Sequence, residues 1–173
     1  ADLVVFPEMA VPGYLLSDLW EEDSFVERCL HINEAVCALS NQVDILFGSV
    51  AKEKENGENG RPLLYNAAFY ASRGEFKTLV DCRGVRKNFL PKTLLPCYRV
   101  FEETRYFSDL RKLAQTINAP MSEMIAPLQL DGFQLGITIC EDGWDSLYKI
   151  KPFEILQKKI SSGDLMIHIS CPP

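Results

Sequence analysis

Three polar side chains stand where apolar runs end, and together they could form an activated nucleophile. Glu8 follows LVVFP, Lys92 follows NFLP and Cys140 follows LGITI. A thiol is a useful nucleophile only as thiolate, so it needs a proton acceptor and a nearby cation. A carboxylate such as Glu8 accepts the proton, and an ammonium such as Lys92 favours the anion. The chain has only 2 histidines, His31 and His168, which leaves a Glu-Lys pair as the activator. In layered α/β folds strand ends line the working crevice, so residues far apart in sequence can converge there. Each residue also has a plainer reading: Cys140 as a core thiol, Lys92 as a solvated surface charge, Glu8 as a loop carboxylate or helix cap.

The elements that must position these residues can be read from pattern. Residues 3–6 (LVVF) and 44–50 (DILFGSV) suit strands buried on both faces. Between them Ser17 or Asp18 is expected to cap a helix, with Glu21 completing a variant capping box. That helix runs to about residue 39 with Phe25, Cys29, Ile32, Val36 and Leu39 on one face. Residues 52–62 (KEKENGENGRP) read as a polar surface turn. Segments 63–71 and 75–81 flank Ser72, Arg73 and Gly74 as a hairpin, and segments 124–130 and 133–140 flank Asp131-Gly132 as another. Helices are expected over 109–117 and 153–160, and a last buried strand over 165–170. Residues 83–107 have no clear period and read as a loop fit to carry a site. The mixture predicts a single α/β layered domain over residues 1–173.

Composition narrows the class. With 173 residues, 47% hydrophobic and 24% charged, the chain suits a soluble globular domain with a sizeable core. It offers neither an apolar run of transmembrane length nor a signal segment, and a cytoplasmic location is the expectation. A net charge of -6 opposes nucleic-acid binding, which needs a basic surface. The 6 cysteines are scattered without a CxxC pair, which suggests neither zinc nor disulfides. The chain opens almost at once on a strand and stops just after another, as an excised piece of something longer would.

Three phrases carry a resemblance: FPEMAVPGY (6–14), KTLLPCYRVFEETRYF (92–107) and ITICEDGWD (137–145). In order and approximate separation they resemble the signature segments of the nitrilase superfamily of carbon-nitrogen hydrolases. The second and third are most similar to its glutaminase branch, the N-terminal domain of glutamine-dependent NAD synthetases. The resemblance implies an α-β-β-α sandwich, here truncated at both ends. It implies Glu8 as general base, Lys92 as the lysine and Cys140 as nucleophile, hydrolysing the side-chain amide of glutamine through a thioester and supplying ammonia for NAD synthesis. The family's second glutamate falls on Glu103, with neighbouring Glu102 ranked second.

Around these, the resemblance implies that Tyr98 contacts glutamine and that Tyr14 and Trp144 form apolar pocket walls. Glu141 would offer its backbone N–H to the oxyanion and its carboxylate to the substrate's amino group, and Ser170 would help hold substrate. For Tyr14 and Trp144 plain core packing is the competing reading. No cofactor is implied for the amidase domain; ATP and Mg would belong to a synthetase domain that these residues do not include. Homo-oligomers are also implied. Two departures stand out. HISCPP puts Pro172 where the family carries a serine, and residues 108–124 form a longer link than usual with no assigned role. Two rival readings remain open: a free-standing carbon-nitrogen hydrolase acting on another amide or nitrile, and an inactive interaction fragment.

Overall fold

The structure, a computed structural model, describes residues 1–57 and 60–171. The first apolar run forms β1 (Leu3–Val5), and after a 3-10 turn at Ser17–Glu21 the chain enters helix α1 (Asp23–Ala38). The expected cap at Ser17 or Asp18 is not made. Ser17 has a φ of 48°, and the helix begins after Glu22 instead. Its inward face also differs from the sequence expectation: Val26, Cys29, Asn33 and Cys37 are buried, while Ile32 and Leu39 are exposed. The reason is polar. β1 pairs with β2 (Asp44–Asn56) only as far as Leu46, and further along that strand Asn33 donates its side-chain amide to the Val50 carbonyl at 3.0 Å.

β2 and β3 (Pro62–Ser72) form the longest hairpin, in which Lys52 already pairs with Leu64, so most of the expected polar turn is strand. Its tip includes residues outside the described set. β3 turns through Arg73 and Gly74 into β4 (Glu75–Phe76), as expected, with φ of 57° and 79° at the two turn residues. This left-handed pair matches the twist of the flanking strands. A second such turn, at Arg83 and Gly84, joins β5 (Val80–Cys82) to β6 (Val85–Lys87), in a segment that reads as loop from sequence. The same segment holds β7 (Leu90–Pro91) and the short helix α2 (Glu103–Tyr106). β7 and β8 (Phe107–Ser108) both pair with β3, completing a six-stranded sheet.

Residues 108–124, without a role from sequence, form helices α3 (Leu110–Thr116) and α4 (Met121–Met124). The Asp109 side chain caps α3 by accepting from the Lys112 N–H at 2.9 Å. The Asp131-Gly132 hairpin joins β9 (Leu128–Leu130) to β10 (Phe133–Ile139), and after α5 (Pro152–Gln157) the last strand β11 (Leu165–Ile169) runs parallel to β10. These three strands make a second sheet.

Strand parity then decides the layers. Leu46, Ala68 and Tyr70 on one face of the large sheet pack against Leu135, Ile137, Ile139 and Ile169 of the small one. The opposite face of the large sheet buries Ile45, Phe47 and Phe69 with Val36 of α1. The outer face of the small sheet meets α3, α4 and α5 through Met166, Leu110, Met124 and Leu156. The order is helix, sheet, sheet, helix. No helix among the described residues is long and apolar enough to cross a membrane.

One glycine is required by this packing. A Cβ on Gly48 would lie 2.5 Å from the Glu8 Cα, 2.6 Å from the Met9 nitrogen and 2.8 Å from the Pro7 oxygen, all backbone atoms. Gly48→Ala is expected to cost about 1–3 kcal/mol, the usual range for overpacking, measurable by urea denaturation. An unchanged midpoint would mean that the 6–9 turn can shift freely.

Candidate active site

Glu8 leaves the end of β1 and is fully buried, and Lys92, just after β7, is fully buried as well. The Lys92 backbone is pinned at both ends: its N–H donates to the Asn66 carbonyl at 2.8 Å, and its carbonyl accepts from the Leu110 N–H at 3.1 Å. Glu103 opens α2 and is 5% exposed. The Lys92 Nζ donates to Glu8 Oε1 at 2.8 Å and to Glu103 Oε1 at 2.7 Å. Between the two glutamates proposed for the lysine's partner, Glu103 holds the position; Glu102 faces Arg105 instead.

Two carboxylates share one ammonium, and the electrostatics follow from that imbalance. Burial works against the Lys92 charge, but Glu103 and Glu8 outweigh it and hold the lysine well above its usual range. Burial raises the Glu103 carboxyl, more than Lys92 and the Tyr14 hydroxyl lower it. Tyr14 donates its hydroxyl to Glu103 Oε1. It packs in the cluster of Met9, Trp20 and Leu95, so it is both a polar partner and an apolar wall.

Cys140 follows β10 directly and has a φ of 45°, a left-handed conformation unusual for a residue with a Cβ. The sharp turn is held by Asp142, whose buried carboxylate accepts from the Ile139 N–H at 3.3 Å. It also accepts from the Thr93 N–H at 3.1 Å and the Leu94 N–H at 2.8 Å. Asp142 thereby ties the cysteine turn to the segment that follows Lys92, and burial pushes its carboxyl up to about 7.

On the other side, the pairing of Ile139 with Ile169 sets residues 170 and 171 beside the cysteine. The Cys171 N–H donates to Glu8 Oε2 at 3.1 Å. Burial pushes the Cys140 thiol up to about 11; Lys92 and the Ser170 hydroxyl lower it, and Glu8 raises it further. Lys92 therefore acts in the expected direction but is outweighed, and at neutral pH the thiol keeps its proton until a base removes it.

The mouth of the site is partly aromatic. Phe101 lies between Tyr14 and Tyr98, with ring centroids 6.1 and 5.5 Å away. Glu141 is buried and accepts from the Tyr98 hydroxyl at 2.8 Å and from the Tyr148 hydroxyl at 2.7 Å, one on each carboxylate oxygen. Trp144, expected as a wall or as core, is neither packed nor enclosed: it is 71% exposed. The 3-10 turn Cys140–Gly143 ends under the His168 ring, which a Cβ on Gly143 would meet at 2.8 Å. Pro172 lies outside the described residues. A hollow of about 540 Å³, bordered by Trp20, Arg61, Tyr106 and Ser108, includes none of Glu8, Lys92 and Cys140.

Three site residues were missed from sequence. Asn66 was visible as the single amide in the apolar run LLYNAAFY, and Asp142 stood inside the cysteine phrase itself. Tyr148 gave no local signal.

Comparison with known proteins adds to the geometry. Over 185 residues, and all of this chain, it is 29% identical to the glutamine-dependent NAD(+) synthetase of Synechocystis sp., of which it spans 28%. Over 147 residues, and 84% of this chain, it is 31% identical to the enzyme of the same name from Thermotoga maritima, of which it spans 20%. The structure of the Acinetobacter baumannii glutamine-dependent NAD+ synthetase in complex with ADP covers the whole chain with a TM-score of 0.66 at 25% identity. The chain resembles glutamine-dependent NAD(+) synthetases along its full length. It spans about a quarter of these synthetases: 26% of the Acinetobacter chain. A second synthetase structure, from Cytophaga hutchinsonii, shares the fold with a TM-score of 0.64 at 18% identity. No family model matches the chain.

Proposed function

We propose that these residues form a nitrilase-like glutaminase domain that hydrolyses the side-chain amide of glutamine and supplies ammonia for NAD synthesis. The observation that carries this reading is the meeting of Glu8, Lys92 and Glu103 in one buried cluster that acts on the Cys140 thiol. The helix-sheet-sheet-helix order supports the nitrilase-like sandwich.

In this reading Glu8 takes the thiol proton as Cys140 attacks the amide carbonyl, giving a tetrahedral oxyanion. Two Lys92 protons go to Glu8 and Glu103, which leaves the third for the oxyanion, alongside the Glu141 N–H. One such donor contributes roughly 3–4 kcal/mol to lowering the barrier. Glu8 then passes a proton to the leaving ammonia, and afterwards activates water to hydrolyse the thioester and release glutamate. A thiol raised to about 11 suits this order, because the proton is removed only at the moment of attack. Tyr98, Tyr148 and Ser170 shape the substrate end, with the doubly held Glu141 carboxylate offered to an ammonium.

Incubation with glutamine is expected to release ammonia and glutamate in equal amounts. Acid-quenched protein should carry a glutamyl adduct on the peptide containing Cys140 by mass spectrometry. Ammonia from a different amide with none from glutamine would replace this substrate; no adduct with any amide would remove the mechanism.

A further inference from the structure

Asn66 touches every part of the buried cluster without being charged itself. It lies in β3, fully buried, on the interior face shared with Ala68 and Tyr70. Its Nδ2 donates to Glu8 Oε1 at 2.7 Å and reaches Glu103 Oε2 at 3.4 Å. Its backbone carbonyl accepts from the Lys92 N–H at 2.8 Å. The amide must point its nitrogen at the carboxylates, since its oxygen there would face two acceptors. That requirement leaves Oδ1 buried with no partner among the described residues. A buried polar atom left unpaired is unfavourable, so something else has to fix the orientation, and the two carboxylates do so.

The consequence falls on Glu8. Oε1 is committed to both Lys92 and Asn66, while Oε2 accepts the Cys171 N–H at 3.1 Å. Oε2 is therefore the oxygen left to accept a proton from Cys140. Without the amide, Glu8 Oε1 keeps Lys92 but loses its second donor, so the carboxylate is held less firmly against exchanging its two oxygens, and the two carboxylates lose the donor that lies between them.

We infer that Asn66 is a positioning residue that fixes which oxygen of Glu8 faces the Cys140 thiol and holds the Glu8 and Glu103 carboxylates apart. This rests on the reading of Glu8 as the base. Hydrogen bonding to a carboxylate favours its charged form, so losing the donor pushes the Glu103 carboxyl, already raised by burial, further up and lets the cluster take up a proton at higher pH. Asn66→Leu removes the donor, and Asn66→Asp removes it and adds an acid. Asn66→Ser keeps a single, shorter donor.

The test measures glutamine hydrolysis and, separately, the alkylation of Cys140 by iodoacetamide, each across pH, on the same variants. For Asn66→Leu and Asn66→Asp, kcat is expected to fall about 100-fold with KM within a few fold, the scale of a misplaced reacting group. The acid limb of the Cys140 alkylation profile should move to higher pH, furthest in Asn66→Asp, with Asn66→Ser between these and the native protein. A lowered melting temperature with an unmoved alkylation profile in the folded variants would make Asn66 a structural residue only and overturn the inference. Should Leu and Asp fail to fold, the Ser variant decides by the same criterion. The two readings fail separately. A native protein inactive on glutamine whose alkylation profile still moves with Asn66 keeps this inference and loses the substrate. Active variants with unmoved profiles do the reverse.

Discussion

Lys92→Met is expected to destabilise the fold by about 3–5 kcal/mol at neutral pH, the cost of leaving a buried charge without its partner. The Lys92 ammonium is the cation between Glu8 and Glu103, at 2.8 and 2.7 Å. Methionine fills similar space but supplies no charge and no donor, so the carboxylates must repel each other or take up a proton. The pH dependence tests this cause. Burial already raises the Glu103 carboxyl, and removing Lys92 removes the main opposing effect. A carboxyl whose folded pKa is raised contributes stability that is fully present below its unfolded pKa and is lost as pH rises through the folded value. The gap between native and variant should therefore narrow toward acid pH. Urea denaturation across pH 4 to 8, as an approximate window set by those carboxyls, would show it. A constant gap would mean that the loss comes from packing. Under the proposed mechanism glutamine hydrolysis should fall by about 1,000-fold or more, since the same substitution would remove an oxyanion donor and unsettle the base.

The candidate site of this chain is more legible in the sequence than its packing. Glu8, Lys92 and Cys140 each stand at an element boundary inside a phrase that carries the resemblance, Glu103 follows from the resemblance alone, and the structure brings them together. Hairpins with Gly in the second turn position at 74 and 132 were read correctly, because positive φ there leaves little choice of residue. The hairpin at Arg83 and Gly84 carries the same signal but was hidden by short arms in a charged, proline-containing segment. The face of α1 could not be read because its apolar residues allow two phases. A single buried amide, Asn33 on the Val50 carbonyl, selects between them, and that bond is long-range. Asn66 and Asp142 belong to the same class of omission. Their importance lies in which backbone and carboxylate groups they meet, and no local pattern reports on partners 37 to 58 residues away.

The cysteine itself gives the other large effect. Cys140→Ala should reduce glutamine hydrolysis by about 10,000-fold or more, as loss of a nucleophile does when the remaining groups have nothing to activate. Stability at neutral pH should change by only about 1 kcal/mol, because Glu8, Lys92 and Glu103 keep one another as partners and alanine fits the same turn. The two proteins should differ again in alkali. The native thiol is raised from 9.0 to about 11, chiefly by burial, so the folded state holds that proton more tightly than the unfolded chain. Such a group contributes stability in full below about pH 9, and that contribution is lost as pH rises through about 11. The native protein should thus lose roughly 1 kcal/mol relative to the alanine variant across this window, after allowing for solvent screening of a half-buried group. Burial holds Tyr65 and Tyr70 above this window in both proteins, so the difference reports the thiol. Parallel denaturation curves from pH 9 to 11 would place the thiol in water rather than in a buried site, and retained ammonia release would exclude it as the attacking group. Loss of hydrolysis together with the alkaline divergence would mark Cys140 as a buried thiol, protonated at rest, that is also the attacking group, which is what the proposed proton transfer to Glu8 needs.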